Sequence, residues 1–266
     1  MSDLSRFLLV PAGFLAVALA ACATPPPDTD PEAVADYRAT HDPLEPTNRN
    51  LYAVHDAVDR NLFVPVAETY RDQVPDSVRQ PVSHFLDNLQ SPVRFANDTF
   101  QAKPRRAGDT LMRFLINTTI GLAGLYDVAA DLGYPRHTTD FGITLGLAGV
   151  GTGAYLFIPA LGPSDLRDIT TVGADTVLSP LGWVGLPPAV QAANYGRSAV
   201  AAVNTRTAVL GPVAEVKRTA LDPYATFRSA YQQHRQAEID ATRNDDRATV
   251  PAWFATTPAA LHASLK

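Results

Sequence analysis

The stretch Asp76–Phe100, DSVRQPVSHFLDNLQSPVRFANDTF, decides the fold class. Val78, Val82, Phe85, Leu86 and Leu89 fall at i, i+4, i+7, i+8 and i+11, a single stripe on the helical period, with Asp76 as a candidate cap. Ser91-Pro92 then reads as an N-cap followed by a first-turn proline, and Val93, Ala96 and Phe100 share one face of a new helix. Proline here punctuates helices instead of abolishing them.

The same pattern extends in both directions. Thr47 is a candidate cap before a stripe of Leu51, Val54, Val58 and Leu62. Leu111, Phe114, Leu115 and Thr118 form another stripe, which stops near Gly121. Asp222-Pro223 opens the clearest helix, carrying Tyr224, Phe227 and Tyr231 and running to about Arg243. No alternating strand series and no repeat is visible. The expected class is mostly α, a bundle of short helices broken by prolines.

Two uncharged stretches interrupt this pattern. Residues 141–164 carry Gly142, Gly146, Gly149, Gly151, Gly153 and Gly162 with Pro159 and Pro163; residues 176–196 include Trp183, Pro187 and Pro188. Glycine and proline at this density argue against continuous helices. One reading is a buried loop with core helices. The other is surface immersed in lipid or lining a passage beside it, since irregular backbone at membrane depth is tolerated only inside protein or along a wet cavity.

Composition bounds the function. The chain has 266 residues, of which 18% are charged, against roughly 25% in an average soluble domain. With 46% hydrophobic residues it is no disordered polyelectrolyte. A net charge of -5 without any Lys/Arg block argues against nucleic acid as a partner. The single cysteine excludes an internal disulfide framework and any multi-cysteine metal site.

That cysteine ends an address segment. Arg6 precedes an apolar run, Phe7–Ala21, too short for a comfortable span and suited to a signal-peptide core. Leu19-Ala20-Ala21-Cys22 resembles the lipobox of bacterial lipoproteins. The resemblance implies a signal peptide over residues 1–21, cleavage before Cys22, and two or three acyl chains on Cys22. Each buried CH₂ contributes about 0.8 kcal/mol and two chains anchor stably. By resemblance to lipoprotein sorting rules, Ala23, a non-aspartate, implies the outer membrane. The rest of segment 22–41 reads as a polar, Pro-rich tether, and residues 244–266 read as a poorly ordered tail.

Catalytic motifs are weak. Gly149-Val-Gly151-Thr-Gly153-Ala154 grazes the dinucleotide fingerprint but lacks the required helix after it. The histidines, His41, His55, His84, His137, His234 and His262, have no metal-ligand spacing and read as surface or capping residues. Gly162-Pro163-Ser164 reads as a turn and helix N-cap. Asp165 and Asp168 could form a hydrolytic carboxylate pair, but acidic residues in a first helical turn, with Arg167 in local ion pairs, explain them better. No enzyme, cofactor or metal is expected.

From Asp42 to about Arg235 the chain resembles the MlaA (VacJ) family of outer-membrane lipoproteins. The motifs are Asp42-Pro43-Leu44-Glu45 with Asn48, Arg49 and Tyr52; Arg71-Asp72-Gln73-Val74-Pro75; Asn88-Leu89 with Pro92; and Arg113 through Asn117-Thr118, then Gly121, Gly124 and Asp127. The strongest block is Phe141-Gly142-Ile143-Thr144-Leu145-Gly146, Gly149-Val150-Gly151-Thr152-Gly153, Tyr155, Pro159, Gly162 and Leu166-Arg167-Asp168. Asp222-Pro223-Tyr224, Arg228 and Tyr231 close it. Family members commonly have Gly-aromatic where this chain has Pro46-Thr47.

The resemblance implies a helical domain over residues 42–243, ring-like, sunk in one leaflet of the outer membrane around a central polar passage. It implies removal of misplaced phospholipid from the outer leaflet and delivery to a periplasmic carrier of the MlaC type, in association with a trimeric porin. Asp42, Pro43, Asn48, Arg49, Asn117, Phe141, Gly142, Gly146, Gly149, Gly151, Gly153, Arg167 and Asp168 are the expected passage or gate residues. Two rivals are an anchored hydrolase and a structural lipoprotein that only braces a porin or the envelope.

Overall fold

The computed structural model describes residue 29, residues 42–180 and residues 187–247. Cys22, the signal segment, nearly all of the tether, Trp183 and residues 248–266 lie outside the described residues.

The described residues are mostly helical, and most of the prolines within helices sit in first turns, with Pro81 an exception inside its helix. Helix α1 (Glu45–Val58) has Pro46 and an acidic Glu45 in its first turn, so Thr47 lies inside the helix and is not its cap. A π-helical turn, Asp59–Phe63, leads directly into α2 (Val64–Gln73), which carries Pro65 in its first turn. Pro65 has no N–H to continue the ladder and its ring crowds the carbonyl one turn back, so the helix widens just before it. Val74, ahead of Pro75, is extended at φ -108 and ψ 111, and this ends α2.

Helix α3 (Asp76–Leu89) starts after Pro75, and α4 (Ser91–Phe100) follows the linking residue Gln90. Asp76 and Ser91 are therefore first-turn residues, one position inside the caps expected of them. Helix α5 (Pro104–Thr119) and the single turn α6 (Val128–Asp131) come next.

The glycine-rich stretch is more regular than its composition suggests. Residues Phe141–Leu147 form helix α7, capped by Asp140, whose Oδ1 accepts the Ile143 N–H at 2.8 Å. A loop at 148–154 leads into a β-hairpin of β1 (Tyr155–Ile158) and β2 (Gly162–Asp165), antiparallel with Tyr155 opposite Asp165. Period alone could not expose two four-residue strands. Ser164 lies on β2, and Asp165 caps α8 (Leu166–Leu178).

The second uncharged stretch is also helical where described. Pro187 and Pro188 open α9 (Pro188–Ala208), a helix of 21 residues. Helix α10 (Leu210–Thr219) precedes α11 (Pro223–Arg243), also 21 residues and capped by Asp222 as expected. The helices are thus not uniformly short.

In space α4 packs on α5, α9 on α2 and α3, and α7 on α8 and α11, with the hairpin between α1 and α11. Tyr155, Phe157 and Tyr224 form the buried aromatic center there, flanked by Leu51, Tyr52 and Tyr231. Tyr52 meets Phe157 edge-on at 5.2 Å.

Polarity is inverted relative to a water-soluble domain. Among the described residues, buried polar and charged side chains outnumber buried apolar ones, twenty-one to eleven. Large apolar side chains lie outside: Phe100, Leu115, Ile120, Leu122, Val172, Val177 and Tyr195 are each about half exposed or more. Exposed apolar surface on this scale marks contact with lipid or another protein. No helix among the described residues is long and apolar enough to cross a membrane.

Candidate functional site

The interior is held by ionic and hydrogen-bonded hubs, and the expected site residues fall into them. Asp42 and Asn48 form the first. Fully buried Asn48 donates from Nδ2 to Asp42 Oδ1 at 3.2 Å and to the Tyr155 carbonyl at 2.9 Å, and accepts the Phe157 N–H at 3.0 Å. The Tyr224 hydroxyl donates to Asp42 Oδ2, and Arg228 approaches the same oxygen at 3.6 Å. Pro43 follows Asp42 at the entry to α1, and the Leu44 N–H donates back to Asp42 Oδ1. Outside this hub Arg49 pairs with Asp222 at 2.6 Å and with Glu45 at 2.8 Å while lying over the Tyr224 ring.

The second hub joins α7, α8 and α11. Arg235 donates from Nε to Asp168 Oδ2 at 2.5 Å, from Nη1 to Asp140 at 2.9 Å and Glu238 at 2.8 Å, and from Nη2 to Asp140 at 3.0 Å. Tyr231 and Arg167 donate to the two oxygens of Asp168 at 2.6 and 3.0 Å. Burial alone would raise Asp168, but the hydrogen bond and charge of Arg235 outweigh it and hold the carboxyl low. Asp165 goes the other way: burial raises it, and its Oδ1 accepts the Asp168 N–H at 2.7 Å as the cap of α8. The Asp165–Asp168 pair is thus built into a helix start.

Two glycines of α7 make this hub possible. A Cβ on Gly142 would collide with Asp168 Oδ1 and stand 2.8 Å from Arg235 Nη2; one on Gly146 would stand 2.7 Å from Ile239 Cδ1 and 3.1 Å from Arg167 Nη1. Phe141, beside them, is half-buried at the first position of α7. In the loop that follows, Gly149 and Gly153 have φ of +87 and +71, whereas Gly151 has neither a positive φ nor any close neighbor.

Asn117 belongs to a third hub. It donates to Asp127 at 2.9 Å and accepts the Ala129 N–H at 2.9 Å, while Arg113 grips the same carboxylate at 2.7 and 2.8 Å. In a fourth, His137 is buried with Nε2 2.9 Å from Asp98, whose Oδ2 also accepts the Thr110 hydroxyl at 2.6 Å. His137 therefore departs from the surface role expected of the histidines. His–Asp pairing across 39 residues leaves no spacing signal to read.

A polar cavity of about 440 Å³ opens between α3, the start of α4, and α9. Asp76, Arg79, Asp87, Arg94, Arg136 and Arg197 supply its charges, with Gln80, Ser83, Gln90 and Asn204 among its neutral polar walls. Arg94 and Arg136 share Asp87 Oδ1, Arg136 at 3.1 Å. Burial would raise Asp87, but the two arginines hold it well below the usual carboxylate range. Behind them a pocket of about one water volume is lined by Ser91, Arg94, Thr110, Arg113, Arg136 and His137.

Helix α9 separates two environments. Arg197, Ala201, Asn204 and Ala208 face the polar cavity, whereas Ala199, Val200 and Val203 line an apolar groove with Pro65, Val66 and Tyr70 of α2. None of the residues expected from sequence motifs lines the polar cavity. They form the buried hubs and the loop at 148–154. The cavity arginines come from separate helices and a loop, so no local spacing advertised them.

Comparison with known proteins gives consistent matches. A sequence profile of the MlaA lipoprotein family matches residues 40–238. The chain is 33% identical over 202 residues to the intermembrane phospholipid transport system lipoprotein MlaA of Escherichia coli K12, covering 74% of this chain and 78% of that one. It is 34% identical over 230 residues to the Haemophilus influenzae protein of the same name, covering 85% and 87%. It is 33% identical over 208 residues to an uncharacterized protein of Rickettsia bellii, covering 78% and 80%. A solved structure described as "Structural basis for maintenance of bacterial outer membrane lipid asymmetry" superposes with a TM-score of 0.66 at 32% identity, covering 75% of this chain and 99% of that one.

Proposed function

This chain belongs to the MlaA lipoprotein family, and on that premise we propose that it removes mislocalised phospholipids from the outer leaflet of the outer membrane and passes them through a polar passage to a periplasmic carrier. The body sits ring-like in the inner leaflet, held from the periplasmic side by acyl chains on Cys22. A trimeric porin and a carrier of the MlaC type are its partners. It acts as a conduit and not as an enzyme.

The observation that carries this reading is the wall formed by α9, which has charged cavity on one face and apolar groove on the other. A phospholipid poses that pairing of demands. Moving an isolated ion into a low-dielectric medium costs tens of kcal/mol in the idealised Born limit. A polar passage removes most of that cost for the headgroup, while the acyl tails stay in lipid along the apolar face. Such transfer needs no bond broken, and a crowded leaflet supplies the drive toward the carrier. The glycine loop 148–154 serves as the gate, with the Asp42–Asn48 and Asp168–Arg235 hubs fixing its ends.

The test is outer-leaflet phospholipid in cells lacking the protein, restored with the native chain or with Cys22→Ala. Phospholipid should rise on deletion and fall only with the lipidated form. No rise on deletion would overturn the reading and favor a structural brace.

A further inference from the structure

The charges around the cavity are unbalanced. Four guanidiniums, Arg79, Arg94, Arg136 and Arg197, face two carboxylates, Asp76 and Asp87. Arg79 pairs with Asp76. Asp87 is shared by Arg94 and Arg136, leaving one positive charge over. Arg197 has no carboxylate partner among the described residues; its Nε and Nη2 are braced by the Asn194 side-chain oxygen at 3.1 and 2.8 Å. Both unbalanced sites border the same cavity, whose volume lies within the range of roughly 300–1,000 Å³ typical of ligand sites.

We propose that this cavity is a phosphate-ester site that selects lipids whose headgroups carry net negative charge, with Arg136 and Arg197 as the residues that read it. The proposal rests on the lipid-passage reading above and adds selectivity to it. A planar guanidinium matches phosphate oxygens two at a time, and a braced one loses less freedom on binding. A zwitterionic headgroup brings its own cation into the cavity, where both carboxylates are already engaged by arginines. That cation meets repulsion and no partner. An anionic headgroup with a neutral alcohol brings only the phosphate charge, and its hydroxyls suit Gln80, Ser83 and Asn204. Attraction of this kind weakens with added salt where solvent reaches the pair.

The experiment measures binding of dihexanoyl phosphatidylglycerol, dihexanoyl phosphatidylcholine and glycerol 3-phosphate to the purified full-length protein in nonionic detergent. The anionic lipid should bind about tenfold tighter than the zwitterionic one, the scale of one additional charge-assisted contact, and glycerol 3-phosphate should bind more weakly than either lipid. Arg197→Gln, on a partly exposed helix face where folding is safe, should remove most of the preference, weakening phosphatidylglycerol binding severalfold more than phosphatidylcholine binding. Arg136→Gln should act in the same direction. Equal affinity for the two lipids, or native preference in a folded Arg197→Gln protein, overturns the selectivity and leaves the passage standing. Glycerol 3-phosphate binding as tightly as the anionic lipid overturns the lipid as the ligand. Failure of both lipids to bind the folded protein overturns the passage reading itself.

Discussion

Asn48 occupies the place of a neighboring strand beside Tyr155. Its carboxamide donates to the Tyr155 carbonyl and accepts the Phe157 N–H, the two groups of β1 that face away from β2. One side chain on α1 thus completes the ladder of a two-stranded sheet. Replacing Asn48 with alanine leaves both buried backbone groups unpaired, at about 1–3 kcal/mol each. Asn48→Ala should lose about 2–5 kcal/mol in denaturant unfolding, and Asn48→Asp should do no better, because its charge would face Asp42.

Two glycines on different helices predict opposite signs. A Cβ at Gly142 meets the Asp168–Arg235 pair, so Gly142→Ala should destabilize by about 1–3 kcal/mol through overpacking. A Cβ at Gly108, inside α5, meets nothing within 4 Å. Gly108→Ala should therefore stabilize by about 0.5–1 kcal/mol through helix propensity. Thermal unfolding of the two variants side by side checks both.

Asp175 predicts a pH dependence. Burial pushes this carboxyl up to about 6, against the hydrogen bond it accepts from Asn97 at 3.0 Å, while nearby Asp140 adds to the rise. An acid raised in the folded state keeps its proton longer there than in the unfolded chain. Its ionisation therefore carries a stability cost that is absent below about pH 4 and fully present above about pH 6, up to about 3 kcal/mol for a shift of this size. Asp175→Asn keeps the acceptor and removes the charge. The difference in stability between Asp175→Asn and the native chain should grow across pH 4–6 and then level off.

The gate predicts a transport phenotype. Gly149 has φ +87, where a β-branched residue is strained by about 1–3 kcal/mol, whereas Gly151 has an ordinary backbone and open surroundings. Gly149→Val with Gly151→Val should change the rate of lipid transfer to a periplasmic acceptor severalfold, with Gly149→Val alone giving most of the effect. Unchanged transfer by a folded double variant would remove the loop from the mechanism.

Much of the helical architecture was legible because proline and aspartate mark helix starts. Asp222-Pro223 opens α11 and Pro92 stands in the first turn of α4 as read, whereas Pro46 and not Thr47 marks the start of α1. The hairpin was not legible: Tyr155–Ile158 is four residues of continuous apolar character, and its regularity depends on Asn48, 107 residues away from Tyr155. Pro187-Pro188 misled for a related reason, since two prolines can begin a long helix as readily as interrupt one. The motif residues Asp42, Asn48, Gly142 and Asp168 do converge, but on the frame. The cavity was hidden because Arg79, Arg94, Arg136 and Arg197 become neighbors only after α3, α4 and α9 assemble.

The inverted interior has a calorimetric consequence. Exposing apolar surface raises the heat capacity of an unfolding chain by about 0.45 cal/K/mol per Å², and exposing polar surface lowers it by about 0.26. Among the described residues this chain buries more polar and charged side chains than apolar ones, and many of its large apolar side chains are already outside. Its heat-capacity increment should fall below the usual value of roughly 12–15 cal/mol/K per residue. A small increment flattens the curve of stability against temperature. Cooling then takes less from this fold, because the hydrophobic force that fades in the cold holds a smaller share of its interior.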